Sequence, residues 1–385
     1  MKYNFLTISD IHWGVLEPKL QELRYEYILE ILNSDLEIDF IVINGDFWDC
    51  KLPLNSEQSR TGIHFMKVLK QISKSKGIKM YVMKGTQEHD NEQLEVFRDD
   101  EDESFKIINT TTSIKIFNDL RVIFCPDELL TNEEYYDLYL DEILKGNQIG
   151  FFHGSFDIVY MERNINHSNQ NKNVCYEYEY WSKVINGPLI AGHWHDGKEY
   201  GNLIYTGSPD RWKFKEEEDK GILYTTYDTE TSEYFHYKII NPLSPDYITF
   251  DVYNNVYRNV DQYRNLIDEI HKLLDSYNEK ANEVYVKIKI YLVIDDIETT
   301  KYIDMLKHHF LNDKKVKISI KNKMKDKKKK EEEKRIQKLN ENYGFIDESS
   351  NSEADIFHEF ILKQYNVDIP IEVIEEKIKK YSKER

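Results

Sequence analysis

Residues 40–49, FIVINGDFWD, contain the most informative pattern in this chain of 385 residues. The apolar run at its start predicts a strand buried on both faces, and Gly45 and Asp46 follow where that strand ends. Upstream, residues 3–9 predict another strand, and residues 20–33 have apolar side chains at helical spacing. Strand, helix and strand in this order predict right-handed crossovers and a sheet covered by helices, which is an α/β fold.

The alternation of strands and helices continues to about residue 240, and a smaller unit follows it. Residues 247–320 alternate strand, helix, strand, helix and strand, whereas the Asn-rich stretch at 164–173 predicts a surface loop. A charged run at 321–335 predicts a solvated helix or linker. Two amphipathic helices are predicted at 353–364 and 371–381, either docking a partner or packing against the smaller unit. We therefore predict three regions, residues 1–243, 244–322 and 323–385.

Composition limits the class of protein. Hydrophobic residues make up 40% of the chain, enough for packed cores, but no apolar run reaches the ~20 residues of a membrane helix. The N-terminus has a strand pattern without the apolar core of a signal peptide, so we expect a cytoplasmic protein with Cys50, Cys125 and Cys175 reduced. A net charge of −18 argues against binding nucleic acid through the whole surface.

Five short motifs of carboxylates and imidazoles each follow a predicted strand. They contain Asp10 and His12; Asp46 and Asp49; His89 and Asp90; His153; and His193 and His195. Ligands of open α/β sheets bind outside the carboxyl ends of strands, so these motifs can converge on one crevice. Their oxygen and nitrogen ligands suit Mn, Fe or Zn, and two such ions ~3.5–4 Å apart could clamp a phosphoryl group. Each motif alone has an ordinary structural explanation, but their joint occurrence favours a metal site.

The order D-x-H, G-D-x-x-D, G…H-D, H-G and G-H-x-H resembles the calcineurin-like metallophosphoesterase superfamily over residues 1–240. A further stretch, IYTGSPDRWKFKEEEDKGILY at 204–224, resembles the Y-x-G-S-x-x-R-x-x-F-x-E segment of its SbcD-type nuclease subunits. The matching residues are Tyr205, Gly207, Ser208, Arg211, Phe214 and Glu216. The resemblance implies a β-sandwich flanked by helices in βαβ units, with a smaller α/β DNA-capping domain and C-terminal helices that bind an ATPase.

The same resemblance implies two divalent metal ions, most simply Mn²⁺, with Mg²⁺, Fe²⁺ and Zn²⁺ as alternatives. Asp10, His12 and His195 would hold the first ion, Asp46 would bridge both ions, and His153 and His193 would hold the second. His89 would act on the phosphate and the leaving group, and Asp90 would orient its ring. Asp49 would orient a ligand histidine or cap a helix, and Arg211 would bind substrate.

The third motif, GTQEHD, departs from the G-N-H-D of the superfamily, because the Asn ligand is absent. Glu88 precedes the histidine and could ligate the second ion through a carboxylate oxygen. Gln87, Thr86 or a water molecule could take that position instead. Trp48 and Trp194, which adjoin candidate site residues, could wall the site or stack on a base.

The leading hypothesis is a DNA exonuclease and endonuclease that cleaves phosphodiester bonds with hydroxide activated by two metal ions. An SbcC-like SMC-type ATPase would be its partner in recombination, repair or replication, and a homodimer is implied. The Lys- and Asn-rich composition suits a bacteriophage member acting in an infected cell. The alternatives are a phosphatase or small-molecule phosphodiesterase with the same site, and a non-catalytic scaffold, which only the missing Asn supports.

Overall fold

The computed structural model describes residues 1–90, 92–163, 174–277, 283–323, 352, 354–355, 357–358, 361–362 and 367–382. The predicted loop at 164–173, most of the charged run at 321–335 and much of the segment at 353–364 lie outside these residues. Among the described residues, no helix is both long enough and apolar enough to cross a lipid bilayer.

The first sheet contains the strands that precede three of the five motifs. It has six strands in the order β14-β13-β1-β2-β3-β4, with β1 to β4 parallel and β13 antiparallel to both of its neighbours. Its strands are β1 (Lys2–Ile8), β2 (Phe40–Asn44), β3 (Lys79–Met83), β4 (Phe105–Ile108), β13 (Gly221–Asp228) and β14 (Tyr234–Ile240). Its helical connections are α1 (Pro18–Asn33), α2 (Glu57–Ser75) and a 3₁₀ helix (Gln93–Asp100).

The second sheet contains the strands that precede the other two motifs. It has the order β11-β12-β10-β7-β6-β5, and β12, β10, β7 and β6 are parallel. Its strands are β5 (Thr112–Phe117), β6 (Leu120–Cys125), β7 (Ile149–His153), β10 (Leu189–Gly192), β11 (Glu199–Tyr200) and β12 (Leu203–Tyr205). Nearby are α3 (Asn132–Ile143), α4 (Asp157–Arg163), α5 (Tyr178–Val184) and a pair of short strands, β8 (Ser155–Phe156) and β9 (Cys175–Tyr176).

The two sheets pack face to face through side chains that alternate along their strands. Phe5 and Phe40 of the first sheet contact Phe151 of the second, whereas Leu6, the neighbour of Phe5, packs on the opposite face. That opposite face is covered by α1 and α2, and the outer face of the second sheet is covered by α3, α4 and α5. The α/β fold expected from the sequence is confirmed, with two sheets between layers of helices.

The chain divides into two compact units, Met1–Thr249 with Ile270–Val286, and Phe250–Glu269 with Lys287–Arg385. A third sheet has the order β15-β16-β17. Its elements are β15 (Asp246–Tyr253), α6 (Val260–Tyr277), β16 (Val284–Leu292), α7 (Ile297–His309) and β17 (Val316–Asn322). The alternation predicted for residues 247–320 therefore exists, and a last helix, α8 (Ile371–Ser382), matches the one predicted at 371–381.

Asn44, the last residue of β2, links the two large sheets at the edge where the motifs lie. Its side-chain amide donates to the carbonyl oxygens of Phe152, at 3.0 Å, and Ile190, at 3.4 Å. Its own carbonyl oxygen accepts from the hydroxyl of Ser9 at 3.0 Å and from Nδ1 of His153 at 2.8 Å. Since Asn44 is fully buried, water cannot replace these bonds.

Substitution of Asn44 by Ala should therefore destabilise the protein by about 1–3 kcal/mol, because two buried carbonyl oxygens lose their donor. Denaturant unfolding of wild type and variant measures this difference. Asn118→Ala, at an exposed turn position, is the matched control and should change the free energy of unfolding little. An equal effect of the two substitutions would contradict the linking role of Asn44.

Candidate metal centre

Strand ends of the two large sheets bring three overlapping groups of carboxylates and imidazoles together. Within each group, one ligand atom from every residue lies within 4.8 Å of the others. The first group is Asp10, His12 and His195. The central group is His12, Asp46 and His89, and the second group is Asp46, His153 and His193. They contain every candidate metal ligand from the sequence except Glu88, together with His89.

The loops after β1 and β2 are tied to each other, which brings the first two motifs side by side. The amide of Asp10 donates to the carbonyl oxygen of Gly45 at 3.2 Å, and the amide of His12 donates to that of Asp46 at 2.9 Å. Four residues of these groups, Asp10, His12, Asp46 and His193, have positive φ angles of 53°, 48°, 51° and 83°. Non-glycine residues rarely adopt this conformation, and such strained residues concentrate at functional sites.

Two motif glycines are required by close approach. A Cβ at Gly45, where φ is +85°, would lie 2.1 Å from Nδ1 of His153. A Cβ at Gly85 would lie 2.1 Å from both the amide nitrogen and Oδ1 of Asp46. Any larger residue at either position would displace a group member, so these glycines allow the groups to come together.

Asp46 belongs to two of the groups, and its two carboxylate oxygens have different surroundings. Oδ1 accepts hydrogen bonds from the amide and the hydroxyl of Thr86, both at 2.6 Å. Oδ2 lies 3.2 Å from Nε2 of His153 and 3.8 Å from Nε2 of His12. Burial would raise the pKa of Asp46, but the charge of His153, aided by His12, holds that pKa below its ordinary value.

The first group has two imidazole nitrogens facing each other. Nε2 of His12 and Nε2 of His195 are 3.2 Å apart, and the latter is 3.9 Å from Oδ1 of Asp10. On the far side of each ring, Nδ1 faces a carboxylate, Asp49 at 3.5 Å for His12 and Glu216 at 3.3 Å for His195. Carboxylates in this position leave the Nε2 lone pairs directed at a common point, as metal ligation requires.

The second group contains His153, whose tautomer is fixed by the backbone. Its Nδ1 donates to the carbonyl oxygen of Asn44 at 2.8 Å, and its buried Nε2 makes no hydrogen bond of good geometry within the described residues. Burial lowers the pKa of His153, but the Asp46 carboxylate outweighs burial and raises that pKa to about 10. Burial, aided by the charge of His153, lowers the pKa of His193 to about 4, so His193 is neutral at pH 7.

His89 and Asp90 are the last two residues of the third motif, and they have separate partners. The Nδ1 atom of His89 contacts the carbonyl oxygen of Asp49, and its ring meets that of His12 edge-on with centroids 4.5 Å apart. Both carboxylate oxygens of Asp90 accept backbone amides, from Trp48 at 2.9 Å and from Gly85 at 2.7 Å. Asp90 therefore holds two loops together, a role different from the predicted orientation of the His89 ring.

Asp90 is fully buried within that loop contact. Burial raises its pKa to about 7, and the nearby charge of Asp46 acts in the same direction. The two amide donors oppose this shift by stabilising the charged form.

The candidates to replace the missing Asn ligand have different surroundings in the structure. Glu88 is exposed and belongs to none of the three groups found among the described residues. Thr86 of GTQEHD contacts Asp46 as a hydrogen-bond donor, through its amide and its hydroxyl. The two residues added to the motif lengthen the turn, which carries the Glu88 carboxylate out to the surface.

Arg211, which is predicted to bind substrate, makes several contacts within the chain. Its guanidinium group donates to Oδ1 of Asp246 at 3.0 Å and to the carbonyl oxygen of Glu217 at 3.4 Å. Its backbone amide donates to the hydroxyl of Ser244 at 3.0 Å. These contacts tie the loop before β13 to the loop before β15.

The two tryptophans next to the candidate site residues have different surroundings. Trp48 is buried between the rings of Phe47 and Phe97, so it belongs to the core. Trp194 is half-buried, donates to the hydroxyl of Ser155 at 3.0 Å and lies under the guanidinium of Arg163.

Three residues near the groups were missed as site residues by sequence reasoning. Trp212 lies against the rings of His12 and His195, with centroids 4.9 Å and 4.8 Å away, and Glu216 contacts His195. Asp127 is buried just after β6, where burial raises its pKa to about 6 and His153 opposes that shift. Its place after a strand end was the signal that could have identified it.

The donor set fits divalent metal ions. It combines the buried carboxylates of Asp10 and Asp46 with imidazoles, of which His153 and His195 have Nδ1 already engaged, and the three groups contain no thiolate. Cys50 is exposed and belongs to none of the three groups among the described residues. The groups can therefore hold metal ions.

Comparisons with known proteins add little to this geometry. No protein-family profile matches the chain, and no curated protein matches it. Among matching solved structures is the cold-active protein-tyrosine phosphatase of a psychrophilic Shewanella species, which is 14% identical. That alignment covers 61% of this chain and 80% of the phosphatase, with a TM-score of 0.30. At this TM-score the likeness does not bear on the activity of the chain.

Metal binding at pH 7 should release protons. In the metal-free protein His153 carries a proton, because its pKa of about 10 lies above its ordinary value of 6.5. A ligating imidazole must lose that proton, so affinity should rise with pH through this range. Without metal, the stabilisation from protonated His153 is complete below pH 6.5 and is lost as pH rises through about 10.

Calorimetric titration with Mn²⁺ in two buffers of different ionisation enthalpy measures this release. The exposed-site variant His64→Gln should release as many protons as wild type. Heats that do not depend on the buffer would contradict protonation of His153.

Proposed function

We propose that this chain is a metal-dependent phosphodiesterase of the calcineurin-like class, related to SbcD-type nucleases, which acts on DNA with two divalent ions. The observation that carries the proposal is the position of Asp46. Its carboxylate belongs both to the group with His12 and His89 and to the group with His153 and His193. One carboxylate shared by two ligand groups suits a pair of ions, most simply Mn²⁺.

Two ions bound there would acidify a water molecule and neutralise the charge that develops on a phosphoryl group. The residues of the chain would hold the ligand atoms for these ions in position. Thr86 fixes one oxygen of Asp46 and leaves Oδ2 turned toward His12 and His153. Asn44 fixes Nδ1 of His153, so that the ligand atom of that ring is already selected before an ion binds.

His89 is the residue that we assign to the leaving group. Because its Nδ1 contacts the carbonyl oxygen of Asp49, Nε2 is left to exchange a proton with a leaving oxygen. Its membership of the central group, with His12 and Asp46, puts the ring next to the shared carboxylate. A positioned imidazole of this kind can act as a general acid.

DNA is favoured as the substrate by the resemblance of residues 204–224 to the SbcD-type segment. Within that segment, Trp212 lies beside the first group, and the ammonium group of Lys213 is 4.7 Å from its ring. An aromatic face with an adjacent cation can receive a nucleotide by stacking and charge attraction. The net charge of −18 limits such contacts to the neighbourhood of the site.

The proposal extends to an SbcC-like SMC-type ATPase as partner and to a homodimer, both implied by the resemblance. In α8, Ile374 is buried within the chain, whereas Val373 is 45% exposed and available to a partner. Co-elution of the full chain with its ATPase, and its loss in a chain ending at residue 343, is the direct check of docking.

A substrate panel distinguishes the proposal from its alternatives. Linear duplex DNA, single-stranded DNA, bis(p-nitrophenyl) phosphate and p-nitrophenyl phosphate should be assayed with Mn²⁺, Mg²⁺ or Zn²⁺, with and without the ATPase. Metal-dependent release of nucleotides supports the nuclease, and cleavage of the monoester alone would favour a phosphatase. Inactivity of the metal-loaded protein on every substrate, with and without the ATPase, would favour a scaffold.

Asp46→Asn should reduce turnover by about a thousand-fold or more, because several kcal/mol of transition-state stabilisation depend on a charged ligand for both ions. Metal content measured on the purified variant should fall as well. Asp137→Asn, at an exposed position of α3, is the control and should behave as wild type. Undiminished turnover in Asp46→Asn would refute the shared-ligand assignment.

His89→Ala should reduce turnover by about 10²–10⁴-fold, which is the usual contribution of a general acid. Its metal content should remain that of wild type, because the other two groups keep all their members. Rates and metal content measured on the same preparation test this separation. A parallel loss of metal would instead identify His89 as a ligand.

A further inference from the structure

The segment at 207–220 holds one candidate ligand histidine by its backbone. The carbonyl oxygen of His195 accepts from the amide of Ser208 at 3.1 Å and from the ammonium group of Lys220 at 2.8 Å. A Cβ at Gly207, where φ is +71°, would lie 2.7 Å from the same oxygen. Only glycine permits this close approach, so Gly207 and Ser208 together fix the position of the His195 backbone.

The same segment also holds the ring of His195. Oε1 of Glu216 lies 3.3 Å from its Nδ1, and Oε2 of Glu216 accepts the amide of Trp212 at 3.2 Å. The carboxylate is thus fixed at both oxygens and cannot easily turn away from the ring. When Nδ1 donates to Glu216, the lone pair on Nε2 points toward Asp10 and His12.

Glu216 and Lys220 are a buried pair of opposite charges. Lys220 is 1% exposed and Glu216 is 7% exposed, and their charged atoms are 3.8 Å apart. Burying two charges is costly and adds little net stability compared with apolar packing. Both charges instead converge on His195, one on its ring and the other on its carbonyl oxygen.

We propose that Glu216 and Lys220 are positioning residues for the first metal ion and act through His195. This inference rests on the metal centre of the proposed function. Glu216 selects the ring tautomer and makes the imidazole a stronger donor, and Lys220 fixes the backbone from which the ring projects. Neither residue is a member of the three groups found among the described residues, so we expect both to act on the ion only through His195.

The test is a titration of the full chain with Co²⁺, followed by calorimetry and visible absorption, with His195→Ala identifying the first site. Glu216→Ala should weaken that binding step by about 10–100-fold and leave the other step unchanged. Lys220→Met should weaken the same step. Glu216→Gln keeps an acceptor oxygen for Nδ1 and should lose less than Glu216→Ala. Glu217→Ala, the exposed neighbour, is the control and should bind as wild type.

A double-mutant cycle separates positioning from a general effect on folding. Adding Glu216→Ala to His195→Ala should weaken Co²⁺ binding no further, because the carboxylate acts only through that ring. An equal weakening of both steps, or binding by Glu216→Ala equal to that of Glu217→Ala, would overturn the inference. If Co²⁺ binds as expected but no phosphodiester is hydrolysed, the proposed function is contradicted and this inference is still supported. A wild-type chain that binds no Co²⁺ would remove both.

Discussion

The buried carboxylate of Asp46 is the constraint on which the rest of the centre depends. It lies where two sheets meet, and a buried charge of this kind is tolerated only with compensating partners. Thr86 satisfies one oxygen, and the other faces the imidazoles of His12 and His153. Gly85 has to lack a side chain for this packing, so the position of Asp46 in the second motif requires a glycine at the start of the third. Motifs far apart in the chain therefore all contribute to the surroundings of the two carboxylate oxygens of Asp46.

A second buried charge pair aligns the two histidines of the first group. Arg24 of α1 makes a bidentate ion pair with Asp210, with distances of 2.6 and 2.7 Å, and its remaining nitrogen contacts the carbonyl oxygen of Ile11. Ile11 lies between Asp10 and His12 in the chain, and Asp210 follows the Gly-Ser pair that seats His195. A buried pair of this kind costs about 3–5 kcal/mol when one partner is removed. Through this pair, α1 is linked to the chain segments that carry Asp10, His12 and the Gly-Ser pair.

The sequence predicted the strands that carry the motifs, because each contains an apolar run that is followed within two residues by a Gly, Asp or His. It did not predict β4 or α3, although Thr131 and Glu134 form a capping box at the start of α3, since neither segment has a strong apolar period. Asp90 and Arg211 were given chemical roles from motif position alone. Their actual partners, backbone amides and Asp246, come from loops whose paths only tertiary structure fixes. Glu88 is exposed in a turn whose path is likewise fixed only by tertiary structure.

The first and second ligand groups are not equivalent, because the Nδ1 atoms of their imidazoles face different partners. In the first group, the Nδ1 atoms of His12 and His195 face the carboxylates of Asp49 and Glu216. In the second group, Nδ1 of His153 donates to a neutral carbonyl oxygen. A carboxylate behind an imidazole makes the ring a stronger donor and adds negative charge near the ion, whereas a carbonyl oxygen fixes the tautomer alone. The first group therefore provides the more strongly negative surroundings for a cation, and the second depends mainly on Asp46, the ligand that it shares.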